Sequence, residues 1–302
     1  MRVLLTGAGG QVGRDLTLCL NAEIPPAGAA TALMGAHPVA PGEFEVTALD
    51  RAGLDVTDAL AVSRAIEEAR AEVVVHLAAY TAVDKAEADP EGAASVNEVG
   101  TANVAAACQA SGAHLIYVST DYVFPGDGGT PLVESSPTSP QSVYGATKRA
   151  GELACPPEAT IARTSWVAGI WNRTVITLAV ESAQVRRDLR FVSDQIGAPT
   201  ASADLAAGLV ALIRRQPGGV LHLAGSGAAS WAEVIDFAYQ RAGGEAGHVT
   251  PILTDELEPP QAATRPKYSV MTSERYASLG LEPLPHWHEG IGRLVDAIKA
   301  QG

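Results

Sequence analysis

The sequence has few basic residues and no long apolar run, and each shortage excludes a class of function. Lysine and arginine number 21 against 34 aspartates and glutamates, which gives a net charge of −13. No basic cluster is long enough to attract a phosphate backbone, so we expect no nucleic-acid partner. The apolar opening of the chain breaks into glycines after Leu5, and no later stretch approaches the ~20 apolar residues of a membrane span. We therefore predict a cytoplasmic protein without a membrane partner.

Cysteine is also scarce. Cys19, Cys108 and Cys155 are odd in number, widely spaced and set in apolar helical contexts, with no C-x-x-C pair. This pattern does not match the spacing of a tetrahedral zinc site. We interpret the three cysteines as reduced core residues.

Short apolar runs, by contrast, are frequent, and they alternate with alanine-rich helical patterns. The chain has 302 residues, 47% of them apolar, which is ample for a buried core. In the first half the runs are residues 2–6, 44–49, 72–78, 114–119 and 159–163. Because these runs are apolar throughout, they favour strands covered by helices on both faces. This predicts an α/β fold with a Rossmann-type doubly wound parallel sheet.

In the second half the strand signals become sparse, leaving runs at 189–194 and 219–225. We predict a dinucleotide-binding domain over residues 1–165. Residues 166–302 are predicted to form mainly a smaller C-terminal substrate-binding lobe. Strands from this half can also return to the main sheet. Residues 21–43 are rich in Pro, Gly and Ala without a period, which indicates a surface insertion or a flexible flap of no assigned function.

Two helix boundaries can be read from capping signals. Thr57 is the expected N-cap of the helix that follows the second strand, because its hydroxyl can accept a bond from the first turn. The helical pattern that begins near Asp89 is expected to end at Gly112, since glycine is favoured just after a last turn.

The stretch TGAGGQVG follows the first strand and begins the first helix, with Gly7, Gly10 and Gly13 in G-x-x-G-x-x-G spacing. The first glycine permits a tight turn, the second admits a pyrophosphate to the backbone, and the third lets helix and strand pack closely. The positive end of the helix then attracts the anion. This predicts a dinucleotide site that also includes Gln11 and Val12, although a tight turn without a ligand has the same pattern.

An acid is expected at the end of the second strand to accept a hydrogen bond from the adenosine ribose, and Asp50 stands there. Arg51 follows, and its guanidinium can pair with a 2′-phosphate or remain a solvated charge. The sequence is therefore compatible with either NADH or NADPH as the cofactor. Asp55, in the next loop, suits either a contact with the adenine edge or a turn.

The stretch YGATKRAGE places Tyr144 and Lys148 one helical turn apart, on one face of a helix. A tyrosine is a poor acid at neutral pH, but a nearby ammonium and a cationic nicotinamide lower its pKa. The spacing alone is common in helices. Thr120, at the end of the fourth strand, adds a hydroxyl where such sheets bind ligands, and the three side chains together indicate proton transfer to a carbonyl oxygen.

At this point the chain resembles the extended short-chain dehydrogenase/reductase family, and within it the reductases of 4-keto sugar nucleotides. The matching stretches run in the family's order from residue 6 to 269 and are TGAGGQVG, LDVTD, HLAAYTAVDKAE, VNEVGTANVA, STDYVF, SPQSVYGATKRAGE, RTSW, DQIGAPT and RPKYS. TAVDKAE, STDYVF and RTSW together are much more specific than the glycine turn.

The resemblance implies a role for each matching residue. Tyr144 is the implied proton donor, Lys148 its pKa-lowering partner and ribose ligand, and Thr120 the third member of the triad. Residues implied to line the cofactor path are Ala78, Ala79 and Tyr80. Residues implied to contact the substrate are Thr81, Val83, Thr120, Asp121, Tyr122, Trp166 and Arg265. Asn97 is either a residue near the active-site strand or one that makes an ordinary helix hydrogen bond, and Trp166 and Tyr122 are alternatively core residues.

The implied activity is NAD(P)H-dependent reduction of the 4-keto group of dTDP-4-dehydro-L-rhamnose to dTDP-L-rhamnose. A ketoreductase for another nucleotide-linked deoxysugar is one alternative. A non-catalytic regulatory subunit that binds a dinucleotide is another, but it would have no chemical need for the intact triad.

Some members of this family are described with magnesium at a dimer contact that involves acids on the first helix. Asp15 matches one such ligand, but no full set is present. We predict no obligatory metal, and a homodimer stays open.

Overall fold

The computed structural model describes residues 1–28 and 38–301. The strands are β1 (Arg2–Thr6), β2 (Glu45–Leu49), β3 (Val73–His76), β4 (His114–Thr120), β5 (Thr160–Thr164), β6 (Val167–Ala168), β7 (Leu189–Val192), β8 (Ile196–Gly197), β9 (Thr200–Ala201), β10 (Gly219–His222), β11 (Ala229–Ser230) and β12 (Val249–Ile252). The helices are α1 (Gln11–Leu20), α2 (Ala59–Glu68), α3 (Val83–Ala88), α4 (Pro90–Ala94), α5 (Thr101–Ser111), α6 (Val143–Ala154), α7 (Val175–Gln184), α8 (Ser202–Arg215), α9 (Trp231–Arg241), α10 (Tyr276–Leu279) and α11 (Trp287–Gln301). A π-helical turn (Ser95–Gly100) joins α4 to α5, and 3₁₀ turns lie at Asp121–Val123 and Thr254–Glu256.

The core is a six-stranded sheet in the order β2, β1, β3, β4, β5, β10. Every pairing in it is parallel. Leu16 of α1 and Leu205 of α8 pack on one face, while Ile66 of α2 and Val104 of α5 pack on the other. Apolar side chains are therefore buried on both faces, and the predicted doubly wound α/β fold is confirmed.

The strand order reverses between β1 and β3, because the chain moves outward to β2 on one side and to β4 and β5 on the other. At such a reversal the connections leave in opposite directions and open a crevice at the carboxyl ends of the strands. The glycine turn after β1 and the loop after β3 meet at this crevice.

The second half of the chain contributes both to the six-stranded sheet and to a group of elements outside it. Strand β10 lies at the sheet edge beside β5, and α8 covers the sheet together with α1. The two-stranded pairs β6 with β9, β7 with β12 and β8 with β11 lie outside that sheet. A separate apolar core joins α7, α9 and α11, and its largest members are Ile176, Val180, Ile235, Tyr239, Trp287 and Leu294.

Two helix boundaries test the capping analysis. The prediction that Thr57 caps α2 is wrong: Asp58 is the N-cap, and its carboxylate accepts from the N–H groups of Leu60 and Ala61 at 3.0 Å. The Thr57 hydroxyl instead donates to Asp55 at 2.7 Å. The predicted end at Gly112 is confirmed, with φ at +75° in the left-handed region that glycine tolerates.

The predicted insertion at 21–43 lies partly outside the described residues, which omit 29–37. On its C-terminal side Val39 is buried against the sheet layer, and Glu43 pairs with Arg214 of α8 at 2.7 Å. This end of the insertion is therefore attached to the core.

All three cysteines are free thiols; Cys19 and Cys108 are buried and Cys155 is half-buried. Burial raises the pKa of each thiol to about 12. Among the described helices, none has the length and apolarity needed to cross a membrane.

Helix α6 approaches the π-helical turn and β4 so closely that Gly151 has no room for a side chain. A Cβ there would lie 2.5 Å from the Asn97 carbonyl oxygen and 2.5 Å from the Tyr117 hydroxyl. We predict that Gly151→Ala lowers the free energy of unfolding by about 1–3 kcal/mol, because backbone must move. Urea unfolding measures this. Gly128→Ala is the control, since nothing lies within 4 Å of its Cβ position; equal effects would contradict the prediction.

Candidate active site

A cleft of about 1440 Å³ opens at the carboxyl edge of the sheet. Its walls come from the ends of β1 to β5, from α6 and from loops of the second half. All the residues that the sequence indicates for cofactor, proton transfer and substrate line this cleft. The structure thus brings together side chains that are up to 258 positions apart, from Gly7 to Arg265.

The glycine turn leaves the start of α1 open to the cleft. Gly7 has φ at +69°, and a Cβ on it would lie 2.6 Å from the Ala78 nitrogen. A Cβ on Gly13 would lie 2.5 Å from the Gly7 oxygen. Gly10 is the N-cap of α1 and supplies no side-chain cap, so the N–H groups of the first turn remain for an anion. This cradle fits the pyrophosphate of a dinucleotide.

Gln11 connects the start of α1 to the loop after β6. Its amide oxygen accepts from the Trp171 N–H at 2.8 Å, and its amide nitrogen donates to the Gly169 carbonyl at 3.3 Å. This predicted cofactor contact therefore also holds a wall of the cleft in place.

Three charged residues border the cleft beyond the glycine turn. Asp50 Oδ1 accepts from the N–H groups of Ala52 and Gly53 at 3.0 Å each, so this carboxylate also shapes its own loop. Asp55 lines the cleft and forms a turn with Thr57, whose N–H and hydroxyl bonds lower the Asp55 pKa. Arg51 lines the cleft beside them.

Arg14 is a cleft residue that the sequence analysis missed. Its Nε donates to the Gly9 carbonyl at 3.1 Å, and its guanidinium lies 5.5 Å from the centre of the Trp171 ring. Its position directly after Gly13 could have indicated a cleft residue, because the first turn of α1 faces the cleft.

The three proton-transfer candidates meet where β4 ends and α6 begins. The Ser142 hydroxyl accepts from the Gly145 N–H at 3.1 Å and so starts α6 at the turn that carries Tyr144. Burial raises the pKa of Tyr144 to about 12, and a hydrogen bond with Thr120 opposes the rise. We expected the Lys148 ammonium to lower this pKa; in the structure burial and the Asp121 charge raise it, and the group that lowers it is Thr120, not Lys148.

The Lys148 ammonium points to the sheet beneath the cleft. It donates to the Val118 carbonyl at 2.8 Å and lies 4.1 Å from the centre of the Tyr117 ring. Burial lowers the pKa of Lys148 to about 7, and the Glu152 carboxylate opposes that fall.

Glu152 is a buried carboxylate with four hydrogen bonds. Arg163 donates to both of its oxygens at 2.8 Å, Ser119 donates at 2.6 Å and Arg149 at 3.1 Å. This cluster joins α6 to β4 and β5, and it fixes the helix that carries Tyr144 and Lys148.

Asp121 is buried beside Thr120, and both of its carboxylate oxygens are engaged. Oδ1 accepts from the Thr120 hydroxyl at 3.0 Å, and Oδ2 accepts from the Ser269 hydroxyl at 2.6 Å. Burial raises the pKa of Asp121 to about 6. Tyr122 packs edge-on against Tyr144, with ring centres 5.3 Å apart.

Asn97 links two walls of the cleft. Its amide oxygen accepts from the Tyr80 N–H at 2.8 Å, and its amide nitrogen donates to the Tyr80 carbonyl at 3.2 Å and to the Thr147 hydroxyl at 3.0 Å. These bonds join the loop after β3 to α6. The π-helical turn around Asn97 directs its side chain there, as π turns often do near functional sites.

The second half of the chain supplies an aromatic wall. Trp166 stacks on Trp231 with ring centres 4.0 Å apart and planes within 1°. The backbone of Trp166 has φ at +47°, and a Cβ on Gly197 would lie 2.4 Å from its indole. Trp231 was missed because the sequence offers no sign that the start of α9 returns to β5.

Arg265 is held by a bidentate ion pair with Asp84 of α3. The two N–H···O distances are 2.7 and 2.6 Å, and Arg265 lowers the pKa of Asp84 to about 2. Asp84 Oδ1 also accepts from the N–H groups of Ala262 and Ala263. The segment around Arg265 is thus attached to α3, next to Val83 and Thr81.

Asp15 is engaged inside the protein. It accepts from the Trp171 indole N–H at 2.6 Å and from the Ser202 hydroxyl, and it is fully buried. Within residues 1–28 and 38–301, no group of three or more His, Cys, Asp or Glu side chains is arranged to hold a metal ion.

The Glu152 cluster has a testable energetic consequence. We predict that Glu152→Gln lowers the free energy of unfolding by about 3 kcal/mol, because it leaves the buried Arg163 charge without its partner. Glu181→Gln is the matched control: it breaks the exposed pair with Arg173 and should cost less than about 1 kcal/mol. Denaturant unfolding of both variants checks this, and a Glu152→Gln protein as stable as the control would contradict it.

Comparison with known proteins bears directly on this site. The family model described as RmlD substrate binding domain matches residues 1–300. A dTDP-4-dehydrorhamnose reductase of Streptomyces griseus is 40% identical, over 98% of this chain and 94% of the relative. A dTDP-4-keto-6-deoxy-D-glucose reductase of Streptomyces niveus is 35% identical, over 99% of this chain and 98% of the relative.

Solved structures agree. The crystal structure of dTDP-4-dehydrorhamnose reductase from Bacillus anthracis in complex with NADP has a TM-score of 0.85 and 34% identity, and covers 97% of this chain and 98% of that one. Because the family model spans nearly the whole chain and the relatives match it from end to end, this chain belongs to the RmlD substrate binding domain family, which includes the dTDP-4-dehydrorhamnose reductases.

Proposed function

We propose that this protein is an oxidoreductase that uses NADPH to reduce the 4-keto group of dTDP-4-dehydro-L-rhamnose, giving dTDP-L-rhamnose. The observation that carries the proposal is the meeting of Thr120, Tyr144 and Lys148 in the cleft that also holds the open glycine turn. The relatives named for this reaction support it.

The chain's own residues handle the carbonyl oxygen. A nicotinamide bound in the cleft would supply the hydride for the ring carbon. Tyr144 remains protonated at neutral pH, since its pKa is about 12, and so can donate its O–H proton to the alkoxide that forms. Thr120 lies in hydrogen-bonding reach of the phenol, and Lys148, one helical turn after Tyr144, is anchored at the Val118 carbonyl.

The other end of the cleft suits a nucleotide sugar. Arg265 makes three hydrogen bonds with Asp84 and Ala263, and a guanidinium carries five N–H donors, so two remain for a ligand. Its charge suits a diphosphate. The stacked Trp166 and Trp231 supply a flat apolar wall for the sugar.

NADPH is the proposed cofactor because Arg14 lines a small pocket together with Asp50, and Arg51, the residue after Asp50, lines the same cleft. Two guanidinium groups beside the ribose position offset the Asp50 charge and favour a 2′-phosphate. The Bacillus anthracis relative is in complex with NADP.

A reductase for a dTDP-linked 4-keto sugar of another configuration is the second candidate. The Streptomyces niveus relative, named for dTDP-4-keto-6-deoxy-D-glucose, favours it, because the triad is independent of sugar configuration. A homodimer and a cytoplasmic location stay predictions.

We predict that Tyr144→Phe lowers kcat about 10²- to 10⁴-fold with little change in the Kd for NADPH, because only the proton donor is removed. Turnover is followed at the nicotinamide absorbance with dTDP-4-dehydro-L-rhamnose made from dTDP-glucose by a dehydratase and an epimerase. Tyr239→Phe is the control, since that buried hydroxyl has no partner among the described residues and lies outside the cleft. Wild-type protein that binds NADPH yet turns over only the other sugar would favour the second candidate.

The Asp84 pair yields a separate prediction. Asp84→Asn should raise the KM for the sugar nucleotide about five- to tenfold with kcat nearly unchanged, because Arg265 loses the partner that pre-orients it. Asp296→Asn, which breaks the exposed pair with Arg241, is the control and should leave both constants unchanged. Steady-state kinetics decides; a lower KM would show instead that the Asp84 charge opposes the substrate.

A further inference from the structure

Ser269 lies in the C-terminal segment that carries Arg265, and backbone bonds hold it from two sides. The N–H of Tyr268 donates to the Gly126 carbonyl at 2.9 Å, in the loop after β4. The N–H of Ser269 donates to the Ile196 carbonyl at 2.8 Å, in β8. Ser269 is therefore fixed between the loop that follows Thr120 and strand β8.

The Ser269 side chain reaches the triad through one intermediate. Its hydroxyl donates to Asp121 Oδ2 at 2.6 Å, and Asp121 Oδ1 accepts from the Thr120 hydroxyl at 3.0 Å. All three side chains are buried, and Ser269 itself does not line the cleft. The Thr120 proton is thereby directed to Asp121, and the Thr120 oxygen accepts from the Tyr122 N–H at 3.3 Å.

We propose that Ser269 is a positioning residue for the reduction: by donating to Asp121 Oδ2 it keeps that carboxylate in place to receive the Thr120 hydroxyl, and so orients the hydroxyl beside Tyr144. The inference rests on the proposed function. It extends the site by a residue that lies 149 positions after Thr120 and does not line the cleft.

The charge on Asp121 gives this arrangement a measurable signature. Burial raises the pKa of Asp121 to about 6, and the Ser269 hydrogen bond opposes the rise. Loss of the Ser269 hydroxyl therefore raises this pKa further. The titratable groups that face Asp121 are the phenols of Tyr122 and Tyr144; burial raises the pKa of both, and the Asp121 charge adds to the rise.

A neutral Asp121 would hold Thr120 less firmly, because a charged acceptor forms the stronger hydrogen bond. As pH falls, Asp121 should therefore become neutral, and Thr120 lose its orientation, at a higher pH in Ser269→Ala than in the wild type. A purely structural role for Ser269 would not move that pH.

The test compares Ser269→Ala with Ser273→Ala. Ser273 lies in the same segment and donates to the Glu134 carboxylate, so its removal deletes a serine-to-carboxylate bond outside the cleft. For each variant and the wild type, kcat, KM and their pH profiles are measured with NADPH and the sugar nucleotide, together with Tm at pH 6 and pH 8 without ligand.

We expect Ser269→Ala to lower kcat about tenfold with KM changed less than twofold, and to shift the acid limb of the kcat profile upward. A group whose folded pKa is raised loses its stability contribution as pH rises through that pKa. The Tm of Ser269→Ala should therefore fall more between pH 6 and pH 8 than the Tm of the wild type does. Ser273→Ala should not, since Glu134 has a lowered pKa and titrates below this window.

Three results would overturn the proposal: a kcat profile unshifted from the wild type, equal kinetic effects of the two serine variants, or a Tm difference between pH 6 and pH 8 that matches the control. Absence of wild-type turnover would refute the proposed function instead. The Tm comparison would still decide whether Ser269 acts on the charge of Asp121.

Discussion

The buried carboxylate of Glu152 holds α6 against β4 and β5, and the geometry of the cleft depends on that attachment. Arg163 and Ser119 reach Glu152 from the two strands, while Lys148 stands one helical turn away on the same helix. Ion pairs that are removed from water contribute little net stability, but their geometry is well defined because each hydrogen bond must be made. The cluster therefore sets where α6 lies. The Glu152 charge also raises the pKa of Lys148, against the effect of burial.

Close backbone approach is the second constraint. Gly151 lets α6 meet the π-helical turn, and Gly13 lets α1 meet the glycine turn, with a Cβ at either position 2.5 Å from a carbonyl oxygen. Because α6 lies so close to the π-helical turn, Asn97 can join the Tyr80 loop to Thr147 of α6. The cleft is thus bordered by backbone on the cofactor side, where close contact with a polar ligand is needed.

Much of the fold could be predicted because parallel strands buried on both faces must be apolar throughout. The runs before Gly7 and Thr120 were recognisable for this reason, and each places its following residue at the carboxyl edge. The edge strand β2 before Asp50 is only partly buried. The cap of α2 could not be predicted, since both Thr57 and Asp58 can accept from a first turn, and in the structure the Thr57 hydroxyl donates to Asp55 instead. Trp231, Asp84 and Ser269 carried no local signal, because each acts on a residue far away in the chain.

The sequence by itself determined the order of the main strands and helices in the first half, the glycine turn and the one-turn spacing of Tyr144 and Lys148, because these follow from local periodicity and from residue chemistry. Only the tertiary structure decided what each polar side chain faces. It directed Lys148 to the Val118 carbonyl, engaged Asp15 inside the protein, paired Arg265 with Asp84 and placed Ser269 behind Asp121. The reason is that burial and partner choice depend on which distant segments the fold brings together, and those set both hydrogen bonding and pKa.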